Sequence, residues 1–106
     1  SVRAGDKGGE LLTKPIVLGE LAERLVVNFQ TEDSGSVRVG LETTDGEPLA
    51  GYEITNCSPL HGDRIRHTVA WEDEADLSPL QGKTVRLRFQ LKKADLYSIQ
   101  FQPWLR

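Results

Sequence analysis

The stretch Thr84-Val85-Arg86-Leu87-Arg88-Phe89-Gln90-Leu91-Lys92 decides the fold class of this chain. Val85, Leu87, Phe89 and Leu91 alternate with polar or charged residues without a break. Neighbouring side chains of an extended strand point to opposite faces, whereas a helix brings together residues three and four apart. The period of two therefore predicts a half-buried strand. Its apolar side faces a core and Arg86 and Arg88 face away, as in an antiparallel sheet that is packed on one face and solvated on the other.

Downstream, Tyr97, Ile99 and Phe101 alternate with Leu96, Ser98, Gln100 and Gln102, and the turn-like Lys93-Ala94-Asp95 predicts a hairpin with the preceding strand. Upstream, Leu25, Val27 and Phe29 form a similar run, and the polar cluster Thr31 to Gly35 leads into Val37, Val39 and Leu41, which predicts a second hairpin. Asp45-Gly46 marks a turn, because glycine takes positive φ without steric cost. Pro48 and Pro15 favour edge strands over residues 47–54 and 11–18, since proline cannot donate in a central ladder. In residues 64–71, Ile65, His67, Val69 and Trp71 fall on one side. Ser78-Pro79-Leu80-Gln81-Gly82 has the serine, early proline and closing glycine of one short helical turn.

About seven short strands separated by turns give an all-β fold, read as an antiparallel, jelly-roll-like sandwich with a small closed barrel as the alternative. The expected inner face is led by Val85, Leu87, Phe89, Val69, Trp71, Tyr97 and Ile99. A length of 106 residues suits a single domain spanning 1–106. The start Ser1-Val2-Arg3-Ala4-Gly5, without an initiator methionine, reads as the beginning of a domain excised from a larger protein.

Thirteen Lys and Arg against sixteen Asp and Glu give a net charge of −3, which disfavours a nucleic-acid partner. No apolar run approaches the roughly 20 residues of a membrane helix. The single cysteine, Cys57, has no partner for an internal disulfide, and with two histidines it cannot complete a four-ligand zinc site.

Glu72, Asp73, Glu74 and Asp76 form the densest carboxylate group, but their spacing matches no calcium-loop motif, so a structural calcium is conceivable without being indicated. A solvated acidic loop explains them as well. Cys57, His61 and Asp63 put a thiol, an imidazole and a carboxylate close together in sequence. A cysteine nucleophile also requires a positioned base and a lowered pKa, and free cysteine more often serves as a small buried hydrophobe. No pair of carboxylates is singled out for glycosidic hydrolysis. The reading is therefore non-enzymatic, without a catalytic or metal site.

A sugar-binding surface needs an aromatic ring for the apolar face of a pyranose and polar neighbours for its hydroxyls. Trp71 and Tyr97 are in phase with core positions, which leaves Tyr52 and Trp104 as the aromatics expected to be exposed. Arg38, Arg86, Arg88, Gln90, Gln100 and Gln102 are expected to share one polar outer face, able to line a shallow glycan groove or to be simply solvated.

The motif set Gly9-Glu10-Leu11-Leu12-Thr13-Lys14-Pro15, Leu25-Val26-Val27-Asn28, Ser36-Val37-Arg38-Val39, Gly46-Glu47-Pro48-Leu49-Ala50-Gly51-Tyr52, Gly62-Asp63, Val69-Ala70-Trp71, Asp76 to Lys83, Val85 to Phe89 and Leu96-Tyr97-Ser98 resembles the C-terminal β-sandwich regions of invertase- and levanase-like glycosidases, glycoside hydrolase family 32 and its relatives. In that family the chemistry belongs to a separate propeller domain, so no catalytic residue is carried over. The resemblance implies a non-catalytic accessory module of a secreted or periplasmic protein, with a polysaccharide or a neighbouring glycosidase domain as its partner. A structural or protein-interaction sandwich without glycan binding is the alternative.

Overall fold

A computed structural model describes residues 2–104. It contains six strands: β1 (Val2–Ala4), β2 (Gly9–Leu12), β3 (Ile16–Val17), β4 (Arg24–Glu42), β5 (Asp63–Thr68) and β6 (Thr84–Gln102). Among the described residues there is no α-helix, only 3-10 turns at Ile54–Asn56 and Ser78–Leu80. The second is the turn expected from Ser78 to Gly82, with Pro79 at its start and Gly82 leaving it at φ +86°.

The sheet is antiparallel and curled, and β6 lies at its centre. On one side β6 pairs with β4 over nearly its whole length, from Glu42↔Arg86 to Arg24↔Gln102. On the other side β3, β2 and β1 pair in turn with successive stretches of β6, with Pro15 in the gap between β2 and β3. The strand β5 adds to the outer edge of the first half of β4.

The two hairpins expected at residues 31–35 and 93–95 are not formed. Both segments are instead irregularities within continuous 19-residue strands that pair with each other. Thr31 pairs with Ala94 and Ser36 with Lys92, so residues 32–35 bulge out opposite Lys93 alone. Ser34 and Lys93 take positive φ, 64° and 46°. A Cβ on Gly35 would come within 2.5 Å of the Lys93 carbonyl oxygen, so only glycine lets the strands close here. The polar, glycine-containing sequence does mark a break in regular geometry, but the break bends the strand rather than reversing it.

This bending lets both halves of β4 serve one core. Leu25, Val27 and Phe29 from the first half and Val37, Val39 and Leu41 from the second are all fully buried. On β6 the inward positions are Val85, Leu87, Phe89 and Leu91, then Ala94 and Leu96 after the extra residue Lys93. A further shift, with Asn28 paired to Ser98 and Phe29 to Leu96, leaves Tyr97 as an extra residue. Tyr97 is consequently 46 % exposed rather than in the core, while Ile99 and Phe101 return to pack partly buried against it. A bulge in β5, with Arg66 at φ 60°, likewise turns Ile65 outward, and Val69 and Trp71 enter the core beyond the strand's end.

Residues 47–54 do not form the expected edge strand. They are held to β4 by the isolated bridge Glu42↔Pro48 and by the Leu41 N–H donating to the Tyr52 carbonyl at 2.9 Å. The close approach needs Gly40, whose Cβ would lie 2.6 Å from the Ile54 nitrogen. Trp71 fills the centre and donates from Nε1 to the Val39 carbonyl at 2.9 Å, satisfying the one polar group its ring would otherwise bury unpaired.

Candidate functional site

Three residues expected at a glycan surface do meet, at the open end of the β4–β6 pair. The pairing Arg24↔Gln102 sets these two residues side by side, and Val26↔Gln100 continues the same face. The Gln102 Oε1 accepts from Arg24 Nη2 at 3.0 Å and from Arg66 Nη2 at 2.9 Å, and its Nε2 donates to Gln100 Oε1 at 2.7 Å. Arg24 also donates to Thr68 Oγ1 at 2.8 Å, and its guanidinium lies 5.7 Å from the centroid of the Trp104 ring, within reach of a cation–π contact. Trp104 is half-buried, with its backbone N–H on Glu23 Oε1 at 3.0 Å and its indole N–H on Asp76 Oδ1 at 3.3 Å.

The outcome is a row of planar polar groups, Arg66, Gln102, Gln100 and Arg24, beside an aromatic ring. Each amide and guanidinium is oriented by its neighbours, while the Gln100 amide N–H groups and most of the Arg66 donors face no protein acceptor among the described residues. Such a surface can donate to hydroxyls or carboxylates without first being reorganised. Arg24 was not picked out by alternation, because its place here depends on the Arg24↔Gln102 register. The contribution of Arg66 depends on a bulge that no sequence period announces.

Arg38, Arg86 and Arg88 do not join this row. They lie along the other half of the same two strands, paired with Gln90, Glu42 and Gly40 respectively. Arg88 is committed to the buried Glu42, through Nε to Oε2 and through Nη2 to Oε1 at 3.2 Å, and to Glu10 at 3.3 Å. These carboxylates hold its guanidinium more firmly protonated than usual, Glu42 foremost. The Arg86 Nε is buried with no hydrogen-bond partner among the described residues. Arg38, half-buried, lines a separate shallow cavity with Ser36, Pro59 and Gln90.

Tyr52, expected to be exposed, is only 8 % exposed. Its ring meets Trp71 edge-on at 5.4 Å and its hydroxyl donates to the Asp76 carbonyl at 2.8 Å, so it secures the loop carrying Asp76 rather than offering a stacking platform. Burial, with Glu74 and Asp76 nearby, pushes its hydroxyl pKa up.

The thiol and imidazole of the Cys57–His61 segment have different partners. Cys57 is buried, its Sγ donates to the Ser58 carbonyl at 3.5 Å, and burial raises its pKa, the wrong direction for a nucleophile. His61 is engaged through Nδ1 with the Gly35 carbonyl at 2.6 Å. In the acidic loop, Asp76 Oδ1 accepts from the Ser78 hydroxyl at 2.7 Å and the Ser78 N–H at 3.0 Å. These bonds, the hydroxyl's first, lower its pKa and make Asp76 a loop fastener. Among the described residues no group of three or more His, Cys, Asp or Glu side chains is placed to hold a metal ion.

The chain matches no protein-family model, no curated protein and no solved structure.

Proposed function

We propose that this chain is a non-catalytic accessory module of an exported carbohydrate-active protein, and that it contacts polysaccharide through the row Arg66–Gln102–Gln100–Arg24 beside Trp104. The observation that carries this reading is the prearranged hydrogen-bonding of that row on an open sheet face. Planar amide and guanidinium donors next to a partly exposed indole are the groups that recognise sugar hydroxyls and the apolar face of a pyranose. The resemblance of the motif set to accessory regions of invertase- and levanase-like glycosidases supports the same class. We also read the curled sheet as a jelly-roll-like sandwich, its two layers being the two halves of the β4–β6 pair; the common core of Leu25, Val27, Phe29, Val37, Val39 and Leu41 supports this.

Affinity electrophoresis in gels containing fructans, β-glucans, xylans or mannans tests the proposal. Retardation by at least one glycan is expected, and Trp104→Ala should weaken it about two- to tenfold, the size of an aromatic contact of about 0.5–1.5 kcal/mol. If no glycan retards the chain, the recognition role is lost.

A second reading, a protein-packing module, is favoured by a different place. Among the described residues, positions 97–102 of β6 pair with β4 on one side and with no strand along their other edge. An apolar cleft of about 250 Å³, lined by Val2, Leu11, Leu96, Tyr97, Ser98 and Ile99, lies beside that edge. An unpaired edge next to apolar surface is where another chain or domain can add a strand.

A further inference from the structure

Both histidines of the chain converge on one cavity. This cavity, about 260 Å³, lies between β5 and the loop at Pro59–His61 and is lined by Phe29, Pro59, Leu60, His61, Arg64 and His67. Its polar lining consists of two imidazoles and a guanidinium, with no carboxylate among them.

Arg64 pairs with Phe29 and His67 with Val27, and opposite residues of an antiparallel pair share a face. Phe29 and Val27 are fully buried, so Arg64 and His67 lie on that same side of the sheet at its β5 edge, His67 half-buried and Arg64 exposed. Arg64 makes no hydrogen bond or ion pair among the described residues. A guanidinium that lines a cavity and has no anionic protein partner keeps its fork of donors for a ligand.

The two imidazoles are held in place. His67 meets the Phe29 ring edge-on, with centroids 6.0 Å apart and planes at 86°. Burial first, and Arg64 second, lower its pKa, which keeps it neutral at pH 7, with one ring nitrogen donating and the other accepting. His61 Nδ1 lies 2.6 Å from the Gly35 carbonyl, which can only accept; Nδ1 therefore carries the proton and Nε2 is left for another partner. The loop is anchored by reciprocal bonds, the Thr31 N–H to the Gly62 carbonyl at 2.8 Å and the Gly62 N–H to Thr31 Oγ1 at 2.8 Å.

We propose that this cavity binds a compact hydroxylated carboxylate, with the carboxylate paired to the Arg64 guanidinium, the hydroxyls on the imidazole nitrogens, and the carbon skeleton against Pro59 and Leu60. A planar guanidinium suits a carboxylate in a two-bond fork. Imidazole nitrogens that accept as well as donate suit hydroxyls better than a second anionic centre. A sugar acid at a glycan end and a free hydroxy acid share this chemistry. The site is separate from the Arg24–Gln102 row and does not depend on the function proposed for it.

Histidine ring signals in two-dimensional NMR provide the test, with the full chain titrated by sodium glucuronate, sodium gluconate, glucose and inorganic phosphate. Glucuronate or gluconate is expected to shift the signals of both rings in a saturable way, glucose and phosphate at least tenfold more weakly. Stronger binding of the ring form points to a glycan end, and stronger binding of the open-chain form to a free acid; either upholds the site. Arg64→Ala should weaken binding at least tenfold while leaving the ring signals dispersed as in a folded chain, and Arg64→Lys should restore only part of it. The proposal is overturned if no carboxylate shifts the rings, if phosphate binds as well as glucuronate, or if folded Arg64→Ala binds like the parent. Self-association of Arg64→Ala without any loss of carboxylate binding would also overturn it, making Arg64 an edge-guarding charge instead.

Discussion

At Gly40 a Cβ would meet three atoms of Ile54, at 2.6, 2.8 and 2.9 Å, and two of those atoms are backbone. Gly40→Ala must therefore push the 3-10 turn at Ile54–Asn56 away from β4. The expected cost is about 1–3 kcal/mol, the range for overpacking a fixed site, read as a lower urea midpoint at unchanged slope. His67 supplies a second prediction at this scale. Its folded pKa is lowered from an ordinary 6.5 by burial and by Arg64, so the unfolded chain takes up the proton more readily. Its contribution to stability is complete above about pH 6.5, declines as pH falls from there towards the folded value, and is level below it. Urea midpoints between about pH 7.5 and about pH 5 should fall on acidification. In His67→Gln the decline should be shallower; an equal slope in both proteins would contradict the assignment.

The all-β character and the regular stretches of alternation were readable, while the joins between them and the absence of a strand over 47–54 were not. Alternation placed Val85, Leu87, Phe89 and Leu91 in the core correctly, because a regular pleat ties side-chain direction to position. The two strand residues expected in the core and found outside it lie at or next to an extra residue in a ladder: Tyr97 is the surplus residue of β6, and Ile65 sits beside the positive-φ Arg66. One inserted residue flips the phase of everything after it, and no composition signal distinguishes a bulge from a pleat. The same limit governed the candidate sites. Gln100, Gln102 and Trp104 could be singled out as residues, but Arg24 and Arg66 join them only through strand register, and the burial of Tyr52 follows from its contacts with Trp71 and Asp76. Arg64 illustrates the same point, since it reaches the cavity of His61 and His67 only through its pairing with Phe29 across the β5 bulge.

Considered as a whole, the molecule is organised around one pair of strands, with a Cα radius of gyration of 13.0 Å and extents of 36 × 34 × 24 Å. The β4–β6 pairing joins residues 24–42 to residues 84–102, so most contacts span a long stretch of chain. Such topologies fold slowly, because loop closure must be completed before the contacts form. Stopped-flow refolding, followed by tryptophan fluorescence, is expected in the range of milliseconds to seconds. Complete recovery of the native signal within the dead time would rule this out.

The central position of β6 carries a consequence for the chain's birth. It pairs with β1, β2, β3 and β4, and it follows every one of them in sequence. A ribosome making this protein therefore releases the other strands before the segment that joins them exists. Until residues 84–102 emerge, the apolar sides of Leu25, Val27, Phe29, Val37, Val39 and Leu41 have no β6 to cover them. The nascent chain is thus an unassembled intermediate that chaperones would be expected to hold, and the fold closes in one late step rather than growing as synthesis proceeds.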